Sequence, residues 1–161
     1  MGLIINKAFP MFMVGYPTVS DKYNAQGGIL SGSNATEFGK LVCFGSTAGY
    51  YEAFTGTKTL EDIAGIVLAT NVKVANEWPA KTVTVEPGEA FNLLLDGFIA
   101  VELSADAVES NIKAGKPVAV KLEGGLLTTS GVSAATDLPG YEFTGLYGKN
   151  GATIVAEIRV K

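Results

Sequence analysis

Three local pairs of carboxylates are the residues of this 161-residue chain best suited, by type and spacing, to acid–base chemistry: Glu61-Asp62, Glu86 with Glu89, and Asp106 with Glu109. A glycoside hydrolase holds two such groups about 5–10 Å apart across a cleft and keeps one protonated by desolvation. Here every pair falls at a turn or at the start of a helical stretch, where an acid is solvated or caps backbone N–H groups. The chain has no histidine, one cysteine, Cys43, and one arginine, Arg159. Without an imidazole no Ser-His-Asp relay moves a proton near neutral pH, and a zinc site lacks enough Cys and His ligands. Cys43 sits in the apolar run 41–44 with no histidine or arginine beside it in sequence, which reads as a buried, inert thiol. The calcium-loop, P-loop and dinucleotide glycine patterns are missing. The reading is therefore no catalytic residue, no metal site and no cofactor. Trp78 and the tyrosines have faces that could stack on sugar rings, which leaves a carbohydrate-binding β-module as an alternative.

Charge narrows the partners. The net charge is −4, and Lys7, Lys22, Lys40, Lys58, Lys73 and Lys81 are dispersed among acids. A nucleic-acid binder shows a clustered basic footprint, so no nucleic-acid partner is expected. No apolar run approaches the roughly 20 residues needed to span a bilayer, so no membrane partner is expected either. Asn6 occupies the position where a myristoylation start needs Ser or Thr. A lone cysteine excludes an internal disulfide framework. Charged residues make up 17% of the chain, below the ~25% usual for soluble domains. Such a surface is either covered by uncharged polar groups or spends area against other protein.

The elements that must position these residues are short strands. Residues 41–44 and 63–70 are compact apolar runs, the second with the character of a strand buried on both faces. Residues 81–86 alternate, with Val83 and Val85 inward, and end in a turn at Pro87-Gly88. Residues 91–95 and 98–103 flank Asp96-Gly97, a hairpin dipeptide. Ser104 can cap one short helix carrying Val108 and Ile112 on one face, with Gly115 and Pro117 stopping it. Val118, Val120 and Leu122 alternate, Gly124-Gly125 turns the chain, residues 141–147 read as a strand, and the final strand places Ile154, Ala156, Ile158 and Val160 on one face and Glu157 and Arg159 on the other. The fold class is mainly β: a compact β-barrel or β-sandwich with one short helix, over residues 40–161. Residues 1–39 differ, with Phe9, Pro10, Phe12, Tyr16, Pro17 and Tyr23 spread among Gly and small polar residues without a sustained period. They read as an extended N-terminal arm whose aromatics anchor it to its own domain or to another chain.

Several residues in order carry a family resemblance: Phe38-Gly39 before Leu41-Val42, the Ile63-Ala64-Gly65-Ile66-Val67-Leu68 run, the Pro-Gly turn, residues 94–103 with Asp96-Gly97, Ile112-Lys113-Ala114-Gly115-Lys116-Pro117-Val118, Pro139-Gly140-Tyr141-Glu142-Phe143, and the terminal run 152–160. Over roughly residues 27–161 this resembles the structural cement, or capsid decoration, proteins of tailed bacteriophages. The chain departs from that pattern in its longer, aromatic-rich start and in lysine replacing most arginine. The resemblance implies a non-enzymatic virion protein on the capsid exterior, bound to the major capsid protein and stiffening the head, and a homo-oligomer, trimers foremost. Phe9, Pro10, Phe12, Tyr16, Pro17 and Tyr23 then become candidate capsid or inter-subunit contacts. A tail, head-fibre or baseplate adaptor is the other virion reading.

Overall fold

The computed structural model describes residues 13–19, 23–69 and 83–161, and there the chain is mainly β. The strands are β1 (Asn24–Ser31), β2 (Thr36–Glu37), β3 (Leu41–Phe44), β4 (Tyr50–Ala53), β5 (Ile63–Leu68), β6 (Thr84–Val85), β7 (Ala90–Glu102), β8 (Pro117–Lys121), β9 (Leu126–Thr129), β10 (Ala135–Asn150) and β11 (Thr153–Val160). Five of them, in the order β1-β4-β3-β5-β7, close into a barrel because β1 pairs in parallel with β4 and antiparallel with β7. Closure leaves these five strands without a free edge over the paired stretches. From the second half of β7 a further sheet continues as β11-β10-β8-β9.

β7 joins the two parts, and here the structure corrects the sequence reading. Residues 91–95 and 98–103 are not two arms of a hairpin about Asp96-Gly97; they are one 13-residue strand. Its first half pairs with β5 and β1, its second with β11. Gly97 has φ 136, a region that side-chain-bearing residues rarely adopt, and it lets the strand leave the barrel for the second sheet. The dipeptide signals a local change of direction, and long-range partners on either side of Gly97 decide that the change is not a reversal.

The helix expected after Ser104 shrinks to one 3-10 turn, Glu109–Asn111, and a second such turn lies at Leu60–Asp62. The loop's polar groups are spent on β9 instead. Ser104 N–H donates to the Leu127 carbonyl (2.8 Å), Val108 N–H to Thr129 Oγ1 (2.9 Å) and Asn111 Nδ2 to the Ser130 carbonyl (3.1 Å). A helix this short has a costly nucleus, so tertiary bonds win. The loop also covers the end strand of the sheet, which would otherwise offer unpaired backbone to other chains.

Two apolar clusters form the core. The larger gathers Leu41, Ile66, Leu94, Ile99, Val101, Val118, Val120, Phe143, Ala156 and Ile158 across both parts, and the smaller packs Leu30, Phe38, Val42, Tyr51, Val67, Phe91 and Leu93. β5 is buried on both faces along its second half, as its uninterrupted apolar run predicts. Glu157 departs from expectation: it lies opposite the core face of β11, yet it is buried.

Part of the stretch 1–39 is built into this body. β1 is bonded on both sides, β2 pairs with β6, and Phe38 is buried.

Candidate interaction surface

The N-terminal candidate contacts divide into two groups. Phe9, Pro10 and Phe12 lie outside the described residues. Tyr16 and Pro17 lie on β7: Gly15 N–H donates to the Ala100 carbonyl (2.8 Å), Ala100 N–H to the Tyr16 carbonyl (3.2 Å), Thr18 N–H to the Phe98 carbonyl (3.1 Å), and Pro17 forms a bridge with Ile99. Since β11 also pairs with residues 97–102, this half of β7 is covered on both edges. Ala69 N–H, just past β5, donates to the Gly15 carbonyl (2.7 Å) and ties the same segment to the barrel. Tyr16 and Tyr23 remain exposed, at 37% and 46%, while Pro17 is half-buried. Tyr23 directly precedes β1, whose first residue Asn24 stands opposite Asp96.

Sequence reasoning missed other exposed apolar side chains. Phe44 and Tyr50 flank the turn between β3 and β4, and Phe44 is 58% exposed. Of the compact apolar run 41–44, Leu41, Val42 and Cys43 are buried and Phe44 is not. Val108, Leu126, Leu146 and Tyr147 are exposed on the second sheet and its covering loop. The signal available in sequence was position: Phe44 and Tyr50 border a turn containing Gly45 and Gly49, where a strand leaves the core.

In each of the three local pairs at least one carboxylate has a structural task. Asp62 Oδ2 accepts from the backbone N–H (2.7 Å) and hydroxyl (2.9 Å) of Thr59, and these bonds hold its carboxyl below the usual range. Asp106 takes the Lys121 ammonium and the Ser104 hydroxyl, with the same effect. Glu89 accepts the Glu86 N–H (2.7 Å), closing the Pro87-Gly88 turn. Glu109 pairs with Lys149, Glu52 with Lys58 (2.6 Å) and Glu142 with Lys161 (2.6 Å). Burial pushes the Cys43 thiol up to about 11, so it stays protonated and unreactive at neutral pH.

A cleft of 240 Å³ opens where the barrel meets the β8–β9 turn. Thr36, Glu37, Lys40, Leu41, Phe54 and Thr84 are among the residues lining it.

A family model described as structural cement protein (E217 gp24/Pam3 gp6) matches residues 5–161. The chain belongs to this phage cement protein family. Among solved structures, a chain from "The capsid of Myoviridae Phage XM1" has the same fold, with a TM-score of 0.64 and 19% identity over 98% of this chain and 97% of that one. No curated protein matches the sequence. Membership makes this cement protein a structural component of the virion, located in the capsid.

Proposed function

We propose that this cement protein binds the outer surface of the major capsid protein lattice and stabilises the head without catalysing a reaction. The observation that carries this is the family match along residues 5–161. Physical chemistry supports it. In each local carboxylate pair at least one member caps backbone or holds a lysine, and the thiol is buried, whereas cementing needs only contact area. Many modest contacts repeated around one particle add through multivalency, and a homo-oligomer, trimers foremost, would multiply them. Neither nucleic acid nor a membrane is a partner in this reading.

The N-terminal aromatics and prolines are the proposed anchors: Phe9, Pro10 and Phe12, with Tyr16, Pro17 and Tyr23 where the chain joins the body. Aromatic side chains dominate interface energetics. Within the stretch 1–39 proposed as the arm, Gly15, Tyr16 and Thr18 are bonded through their backbone to β7.

The test is decoration of purified, undecorated capsids by the full chain. Saturable binding near the copy number of the capsid subunit is expected, with heads that resist heat or osmotic shock better once decorated. Phe9→Ala/Phe12→Ala/Tyr23→Ala should weaken binding at least tenfold while leaving the thermal transition in place. Wild-type protein that ignores capsids would sink the proposal.

A further inference from the structure

Within this cement reading, we infer that the cleft between the barrel and the β8–β9 turn is a preformed socket for an extended loop of the capsid shell, one that presents an apolar side chain between an acidic and a basic residue. The argument starts from unspent charge. Three lysines of the described residues are half-buried: Lys40, Lys58 and Lys121. Lys58 is paired with Glu52 and Lys121 with Asp106, whereas Lys40 has no carboxylate partner among the described residues. Five glutamates are half-buried: Glu37, Glu52, Glu89, Glu109 and Glu142. Four are engaged, by Lys58, the Glu86 N–H, Lys149 and Lys161, and Glu37 alone has no partner among the described residues. The unpaired half-buried lysine and the unpaired half-buried glutamate line the same cleft, while the buried Glu157 of β11, whose carboxylate also has no partner among the described residues, lies outside it.

A half-buried charge without a counter-charge is partly desolvated and uncompensated, so it gains more from an incoming opposite charge than an exposed one does. Glu37 and Lys40 stand at the two ends of the turn between β2 and β3, which Lys40 N–H closes by donating to the Glu37 carbonyl (3.2 Å), and their side chains make no ion pair with each other. The same lining includes the apolar Leu41, Ala53 and Phe54. At 240 Å³ the cleft is smaller than the ~300–1,000 Å³ of pockets that enclose a small-molecule ligand, and it suits one side chain of a polypeptide. Its walls come from the barrel and from the second sheet, so the loop would also brace one against the other.

The experiment measures binding of full-chain protein to undecorated capsids for wild type, Lys40→Glu, Glu37→Lys, and the milder Lys40→Gln and Glu37→Gln. Each reversal is expected to weaken binding tenfold or more and each neutral change by less. The salt dependence should fall in all four, and the melting temperature should not. Lys40→Arg should bind like wild type. If a reversal variant fails to fold, the neutral pair decides. Wild-type affinity in the folded charge variants would overturn the socket while leaving the cement reading intact; wild type that does not bind capsids would overturn the cement reading itself. A photo-crosslinking residue placed at position 40 should join to the capsid subunit, and crosslinks only between copies of this chain would overturn the assigned occupant.

Discussion

The ring of Tyr51 lies on the bare Cα of Gly28. A Cβ built on Gly28 would stand 2.3 Å from the Tyr51 Cε2 atom and 2.4 Å from Cδ2. The ring also meets Phe91 edge-on at 5.9 Å, and Phe91 is the register partner of Gly28 on β7. One glycine thus makes room for the aromatic pair that packs β4 against β7 across β1. Gly28→Ala should cost about 1–3 kcal/mol, the usual range for overpacking a filled core. Chemical denaturation would check this, and an unchanged midpoint would mean that the ring is not seated there.

Phe143 is the largest fully buried side chain among the described residues, 1% exposed, and it belongs to the cluster shared by barrel and second sheet. Phe143→Ala should lower stability by about 3–5 kcal/mol, through lost transfer energy and the cavity left behind. Because the cluster spans both parts, the barrel and the second sheet should lose structure in one transition, readable as coincident near- and far-UV dichroism curves.

Cys43 should resist thiol reagents in the folded protein at pH 8 and react fully in denaturant. The same burial links stability to alkaline pH. The folded-state pKa is about 11 against an ordinary 9.0, so folded protein retains a proton that unfolded protein releases. That contribution is complete below pH 9 and is lost as pH rises through 11. Cys43→Ala or Cys43→Val should flatten this part of the profile.

At the acid end the sign reverses. The carboxyls of Asp62 and Asp106 are held below their ordinary 3.8 by hydrogen bonds from Thr59, and from Lys121 and Ser104. Unfolded chains therefore bind more protons near pH 4 than folded ones. The stabilisation is present above pH 3.8 and disappears as pH falls through the depressed values. The melting temperature of Asp62→Asn/Asp106→Asn should change less between pH 5 and pH 2.5 than that of wild type.

Much of the fold was legible because its causes are local. The terminal alternation of Ile154, Ala156, Ile158 and Val160 requires a strand with one apolar face, and all four are buried. Gly124-Gly125 and Pro87-Gly88 mark turns through backbone freedom at positions where the chain does reverse. The misreadings sit where distant partners decide. Asp96-Gly97 looks like a hairpin until β1, β5 and β11 hold β7 in one piece. The stretch after Ser104 has helix punctuation, but β9 takes its hydrogen bonds.

The candidate contacts follow the same division. Aromatic and proline content alone marks Tyr16, Pro17 and Tyr23, and no local pattern tells that Pro17 bridges Ile99 or that Phe44 escapes the core. Residue types and short-range spacing by themselves determined the β class, the inert thiol and the lack of a histidine relay, because those depend on which groups exist and on their immediate neighbours. Only the tertiary structure decided that Glu37 and Lys40 stay unpaired in one cleft, since pairing depends on every other charge that the folded chain brings within reach.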